Sequence, residues 1–191
     1  MNPNYSPASH LTRRRFLRVG AMAAAGLIVP GAARAGLRIA ADTPARRRLK
    51  FYNLHTDERL DVDYFADGRY IPDALGAINH ILRDFRRNEV KAIDPRLLDM
   101  LAAINRRLDT TAPFDVISGY RSPLTNAMLH ALSEGVAAHS LHMDGKAIDI
   151  RVQGRDLATL HRVALAMRAG GVGYYPRSDF VHVDAGRVRR W

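Results

Sequence analysis

The chain contains no cysteine, so no disulfide can brace its fold and no thiolate can hold a metal in it. Stability has to come from a hydrophobic core, and any metal site has to be built from histidine, aspartate or glutamate. The composition supplies that core, because 47% of the 191 residues are hydrophobic, enough for one domain and too little for two. Eight histidines are available as ligands. Attachment of a lipid through an N-terminal cysteine is excluded as well.

Residues 1–35 read as an address rather than as structure. Thr12-Arg13-Arg14-Arg15-Phe16-Leu17 precedes an apolar run from Val19 to Val29, and Ala33 and Ala35 then form an A-x-A-like cleavage site before Gly36. The paired arginines followed by Phe-Leu resemble a twin-arginine signal, which predicts export to the periplasm. The apolar run is well short of the roughly twenty residues that span a bilayer, so no stable membrane anchor is expected after cleavage. The leader holds five arginines and no acid, so the formal net charge of +10 falls to +5 for the remainder. Residues 36–48, with Pro44 and Arg46-Arg47-Arg48, read as a flexible mature N-terminus, and the domain is expected over 49–191 as a monomer.

Within that domain, Leu49–Leu54 and Arg59–Tyr64 predict a hairpin, and Asp67-Gly68 a turn. Apolar residues at helical spacing predict helices over Pro72–Arg87 and Pro95–Leu108, the second capped by Asp94. Phe114–Ser118 is a short strand, followed by a helix from Pro123 to about Glu134. Lys146–Val152 alternates cleanly, which sends Ile148, Ile150 and Val152 into a core and Ala147, Asp149 and Arg151 to the other face. After a helix over Leu157–Ala169, Val172–Tyr175 and Phe180–Asp184 are strands. The last buries Val181 and Val183 and turns Phe180, His182 and Asp184 the other way. Strands at both ends, helices between and no repeated βαβ signal predict an α+β domain, an antiparallel sheet with packed helices.

The strongest chemical signal is Ser140-Leu141-His142-Met143-Asp144-Gly145-Lys146-Ala147-Ile148-Asp149. A histidine on a glycine-containing turn precedes an aspartate on the following strand, and one imidazole and one carboxylate held together suit zinc. His182 is the best remaining donor, and three protein ligands leave a fourth position open for water, the arrangement of a catalytic zinc. His55, His80, His130 and His161 lack a paired donor at ligand spacing. His139 is left as a group able to fix a neighbouring side chain.

The Ser-x-His-x-x-Gly-x-Ala-x-Asp spacing, preceded by Ser118-Gly119-Tyr120-Arg121-Ser122 and followed by Asp179-Phe180-Val181-His182, resembles the zinc D-Ala-D-Ala peptidases. That family is related in structure to the hedgehog signalling domain and to lysostaphin-type enzymes. The resemblance covers roughly Leu49 to Trp191. It implies a hedgehog/DD-peptidase-like zinc fold with His142, Asp149 and His182 as zinc ligands. It also implies hydrolysis of peptidoglycan cross-links, between two meso-diaminopimelate residues or between D-alanine and meso-diaminopimelate. Many relatives place a glutamate three residues before the last ligand, where this chain has Asp179. Asp179 is the candidate general base, with Asp184 as its rival on the His182 face of the strand; the bland reading of Asp179 is a turn residue.

Arg121 offers a planar fork for a stem-peptide carboxylate, against the alternative of a surface ion pair. Ser140 is a candidate to orient substrate or ligand, against the alternative of a turn cap. A protein that holds zinc and binds peptidoglycan without cutting it is the second functional reading. Nucleic-acid binding is excluded by export and by the lack of a basic stripe interleaved with aromatics.

Overall fold

The described residues form eight strands and four α-helices. The computed structural model describes residues 45–133 and 135–191, so the signal read over 1–35 and most of the 36–48 segment lie outside the described residues. β1 (Arg46–Asn53), β2 (Arg59–Ala66) and β3 (Arg69–Tyr70) lead into α1 (Pro72–Ile81) and α2 (Pro95–Arg107). β4 (Phe114–Ser118), α3 (Pro123–Leu132), β5 (Ala147–Val152), α4 (Leu157–Met167), β6 (Gly171–Tyr175), β7 (Phe180–Asp184) and β8 (Arg189–Arg190) follow. Among the described residues no helix is long and apolar enough to cross a membrane.

All strands join one sheet in the order β3-β2-β1-β4-β5-β7-β6-β8. The expected antiparallel sheet is corrected here to a mixed one, because β1 pairs with β4 and β6 with β8 in parallel. Between β1 and β4 the chain runs through two strands and two helices, and only a long crossover of this kind returns a strand parallel to its neighbour. The α+β class stands. A single core lies between sheet and helices, with Phe51, Phe114, Ile148, Ile150 and Val181 meeting Ile78, Leu97, Leu101 and Leu160.

Local chemistry sets the ends of the elements. Asp94 accepts from the Arg96 amide (2.9 Å) and Ser122 from that of Thr125 (3.2 Å), capping α2 and α3. α1 stops at Ile81, short of the expected Arg87. The Leu82 carbonyl is taken by the Tyr120 amide (2.7 Å), and the Arg86 amide turns to Asp84 Oδ1 (3.0 Å). Phe85, inside the expected helix, lies beyond its end and stacks on His55 with ring centroids 3.9 Å apart. β1 begins three residues before Leu49. Arg46 and Arg47 pair with Ala66 and Phe65 of β2, and the Arg47 guanidinium bonds Asp99 and covers the Phe65 ring.

Candidate metal centre

The register of two strands creates the site. β5 and β7 are antiparallel neighbours with Asp149 directly opposite His182, and opposed residues bring their side chains together on one face. With Ile148, Ile150, Val181 and Val183 in the core, alternation sends Asp149 and His182 to the other face. His142 arrives from the loop before β5, on a one-turn 3-10 helix over Leu141–Asp144. Ser140 caps that turn, its Oγ accepting from the His142 amide at 3.4 Å. Gly145 ends the turn with φ +67°, a left-handed conformation that suits glycine, where a Cβ would collide with the Ala92 carbonyl.

Three donor atoms face one another. His142 Nε2 lies 3.2 Å from His182 Nδ1 and 3.3 Å from Asp149 Oδ1, and His182 Nδ1 lies 2.8 Å from Asp149 Oδ1. All three residues are buried. The outer ring nitrogens fix the tautomers. His142 Nδ1 is 2.7 Å from the Gly119 carbonyl, which can only accept, so Nδ1 carries the proton and Nε2 presents its lone pair. His182 Nε2 is 3.0 Å from Asp184 Oδ2, so the neutral imidazole with its proton on Nε2 presents the Nδ1 lone pair. Two lone pairs and a carboxylate oxygen thus converge in a buried space, a set that a cation satisfies. A tetrahedral zinc with ligands at about 2.0–2.1 Å sets them roughly 3.3 Å apart, close to the spacing found, so the residues fit the metal.

The two imidazoles differ in their electrostatics. Full burial pushes the His142 imidazole below its ordinary value despite Asp149 beside it, which keeps it neutral. Burial would raise the Asp149 carboxyl, but His142 and His182 outweigh it and hold the group well below the carboxylate range. For His182, burial is outweighed by hydrogen bonds to Asp149 and Asp184, and its pKa is raised. Burial of Asp184 is likewise outweighed, by His182 and Arg189.

A cleft of about 500 Å³ opens onto the triad, lined among others by Arg121, His139, Ser140, Tyr175 and Trp191. The Arg121 guanidinium, Nη2 3.7 Å from Asp149 Oδ2, is 11% exposed, and its Nε is buried without a hydrogen-bond partner. Burial lowers its pKa against the pull of Asp149. His139 is exposed on the cleft wall.

The two candidate bases are placed differently. Asp184 is fully buried, with Oδ1 accepting from the amides of Gly171 (3.2 Å) and Gly186 (2.8 Å). Arg189 grips both of its oxygens, at 3.0 and 2.8 Å. It is a carboxylate that orients His182. Asp179 sits on the turn before β7 with φ +54°, between the cleft-lining Ser178 and Phe180. Its carboxylate is 61% exposed and bonds Arg151 Nη1 at 2.6 Å, and it is not among the residues that line the cleft. Sequence reasoning missed Arg189, Trp191 and Asp84. Asp84 is a buried carboxylate that accepts from the Ser122 amide at 2.9 Å and fixes the turn carrying Arg121. No spacing signal marked them: Asp84 and Trp191 act through contacts between distant segments, and Arg189 folds back on Asp184 across the short turn after β7.

The chain is similar to known proteins. The family model Peptidase_M15_2, described as Peptidoglycan L,D-endopeptidase MepK, matches residues 41–191. The peptidoglycan L,D-endopeptidase MepK of Escherichia coli K12 is 47% identical over 179 residues, covering 94% of this chain and 96% of that protein. The probable peptidoglycan L,D-endopeptidase MepK of Haemophilus influenzae is 40% identical over 180 residues, covering 94% of this chain and 95% of that protein.

Proposed function

The chain belongs to the Peptidase_M15_2 family of peptidoglycan L,D-endopeptidases, and on that premise we propose that it cuts, with zinc, the bond joining two meso-diaminopimelate residues in cross-linked peptidoglycan. It is a murein endopeptidase. A cross-link between two diaminopimelates runs from an L centre to a D centre, whereas one from D-alanine to diaminopimelate joins two D centres. The L,D specificity in the relatives' names supports the first. Membership of a peptidase family displaces the reading of a wall-binding protein without catalysis. Work on the wall implies a periplasmic or extracellular site, and the arginine pair at Arg13 and Arg14 supports the twin-arginine route to the periplasm.

The observation that carries the zinc reading is the convergence of His142 Nε2, Asp149 Oδ1 and His182 Nδ1 within 3.3 Å. Zinc bound there supplies Lewis-acid polarisation of the scissile carbonyl and of the attacking water. The chain's own residues do the rest. The Gly119 carbonyl and Asp184 hold the two imidazoles in the binding tautomer. Arg121 grips a stem-peptide carboxylate beside the cleavage point, its buried Nε a donor without a partner among the described residues. Ser140 keeps the His142 turn in place at the cleft wall. Asp184 has both oxygens engaged, so Asp179 on the rim is the carboxylate that moves the proton.

The test is metal analysis of His142→Ala, Asp149→Ala and His182→Ala. Each variant is expected to lose stoichiometric zinc while keeping a cooperative melting transition, because the core lies on the opposite face of the sheet. Retention of one zinc per chain by all three overturns the assignment.

A further inference from the structure

One wall of the cleft is aromatic, and nothing in the chemistry above uses it. Tyr175 and Phe180 stack with ring centroids 4.5 Å apart. Trp191 lies 5.2 Å from His182, ring to ring. Its position is set in several ways. The Trp191 amide donates to the Val172 carbonyl (3.2 Å), its carbonyl accepts from the Tyr174 amide (3.1 Å), and its indole N–H donates to the Tyr175 hydroxyl (2.7 Å). The Arg189 guanidinium lies over the ring at 4.8 Å. Gly173 clears the space, since a Cβ there would sit 2.7 Å from the indole. Yet the residue remains 49% exposed, facing the cleft beside the metal ligands. A large ring fixed on several sides and left bare towards a cleft is what an apolar ligand surface calls for.

We propose that Trp191 is a substrate-binding residue, a platform for the methylene chain of a diaminopimelate residue whose carboxylate is held by Arg121. This deepens the endopeptidase reading and rests on it. Diaminopimelate presents a straight apolar chain between charged ends, and the cleft is lined by the Trp191 indole beside His182 and by the Arg121 guanidinium beside Asp149. Residues whose side chain is short offer no such contact, so the aromatic wall selects for the cross-linking residue.

The chain has a single tryptophan, so its fluorescence reports on this residue alone. Zinc-loaded protein is titrated with an uncross-linked stem peptide containing meso-diaminopimelate, and with the same peptide carrying alanine in its place. Kd is read by calorimetry for the wild type, Trp191→Ala and Trp191→Phe, and KM and kcat are measured on a cross-linked dimer. The expected result is a saturable fluorescence change with the first peptide only. Kd and KM should be roughly tenfold higher for Trp191→Ala, with kcat and zinc content near wild type and most of the affinity recovered by Trp191→Phe. Peptide binding that leaves the fluorescence unchanged, or Trp191→Ala binding as tightly as the wild type, overturns the proposal, and so does a variant whose loss is confined to zinc content. Should Trp191→Ala fail to fold, the wild-type fluorescence and Trp191→Phe decide. Wild-type protein that binds the peptide through Trp191 but cuts no dimer refutes the endopeptidase reading and leaves the platform standing; protein that does neither refutes both.

Discussion

At the scale of single residues, the proposed metal centre rests on two groups outside the triad. The Gly119 carbonyl and the Asp184 carboxylate each hold the outer nitrogen of a histidine, and such partners are commonly worth ten- to a hundredfold in metal affinity. Asp184→Asn is therefore expected to weaken zinc binding by about that factor in competition with a chelator; an unchanged affinity would make Asp184 a structural residue only. Asp179→Asn separates the base from a turn residue. A lost base lowers kcat by roughly 10²–10⁴-fold with zinc retained, while a turn residue paired with Arg151 leaves kcat near wild type. The raised pKa of His182 adds a pH dependence whose sign is fixed. Zinc needs the neutral imidazole, so affinity falls as pH drops through a range that begins above the ordinary histidine value of about 6.5. A zinc affinity independent of pH between 8 and 5 would contradict this.

At the scale of elements, the strand pattern and most helices were legible because alternation and helical spacing report burial directly. Lys146–Val152 and Phe180–Asp184 showed which side chains leave the core. They could not show that Asp149 stands opposite His182, because register depends on pairing between segments far apart in sequence. The parallel β1–β4 pair was hidden for the same reason, since no local pattern records which strand a crossover returns to. The over-long α1 shows a tertiary contact overriding propensity: the Tyr120 amide claims the Leu82 carbonyl and the helix ends there. The site was more legible than the sheet because His142, Gly145 and Asp149 lie within eight residues on one turn and strand, whereas Arg189 and Trp191 reach it only through β6 and β7. Gly145→Ala tests the turn. Its left-handed φ costs a side chain about 1–3 kcal/mol, before the collision with the Ala92 carbonyl. A lower melting temperature together with weaker zinc binding is expected, and a melting curve matching wild type would count against the turn's role.

For the whole molecule, the sheet separates two tasks, with a cysteine-free core on the helix side and the metal chemistry on the other. Several carboxyls are held below their ordinary range, Asp84, Asp149 and Asp184 among them. Groups with depressed folded pKa values stabilise the protein above the unfolded carboxyl value of about 4, and that stability is lost as pH falls further. The midpoint of thermal unfolding should therefore drop steeply below about pH 4. Export belongs to this scale too. Arg13→Lys combined with Arg14→Lys is expected to leave the precursor inside the cell, and a mature-sized periplasmic product would contradict the twin-arginine reading. The central claim, zinc-dependent cleavage of a cross-link by this triad, is tested most directly by mass spectrometry of a cross-linked dimer joined through two meso-diaminopimelates. Zinc-loaded protein should split it into two monomers with the gain of one water, a chelator should stop the reaction, and added zinc should restore it. A dimer left intact by zinc-loaded protein, or cut at full rate with the metal stripped away, would contradict the account.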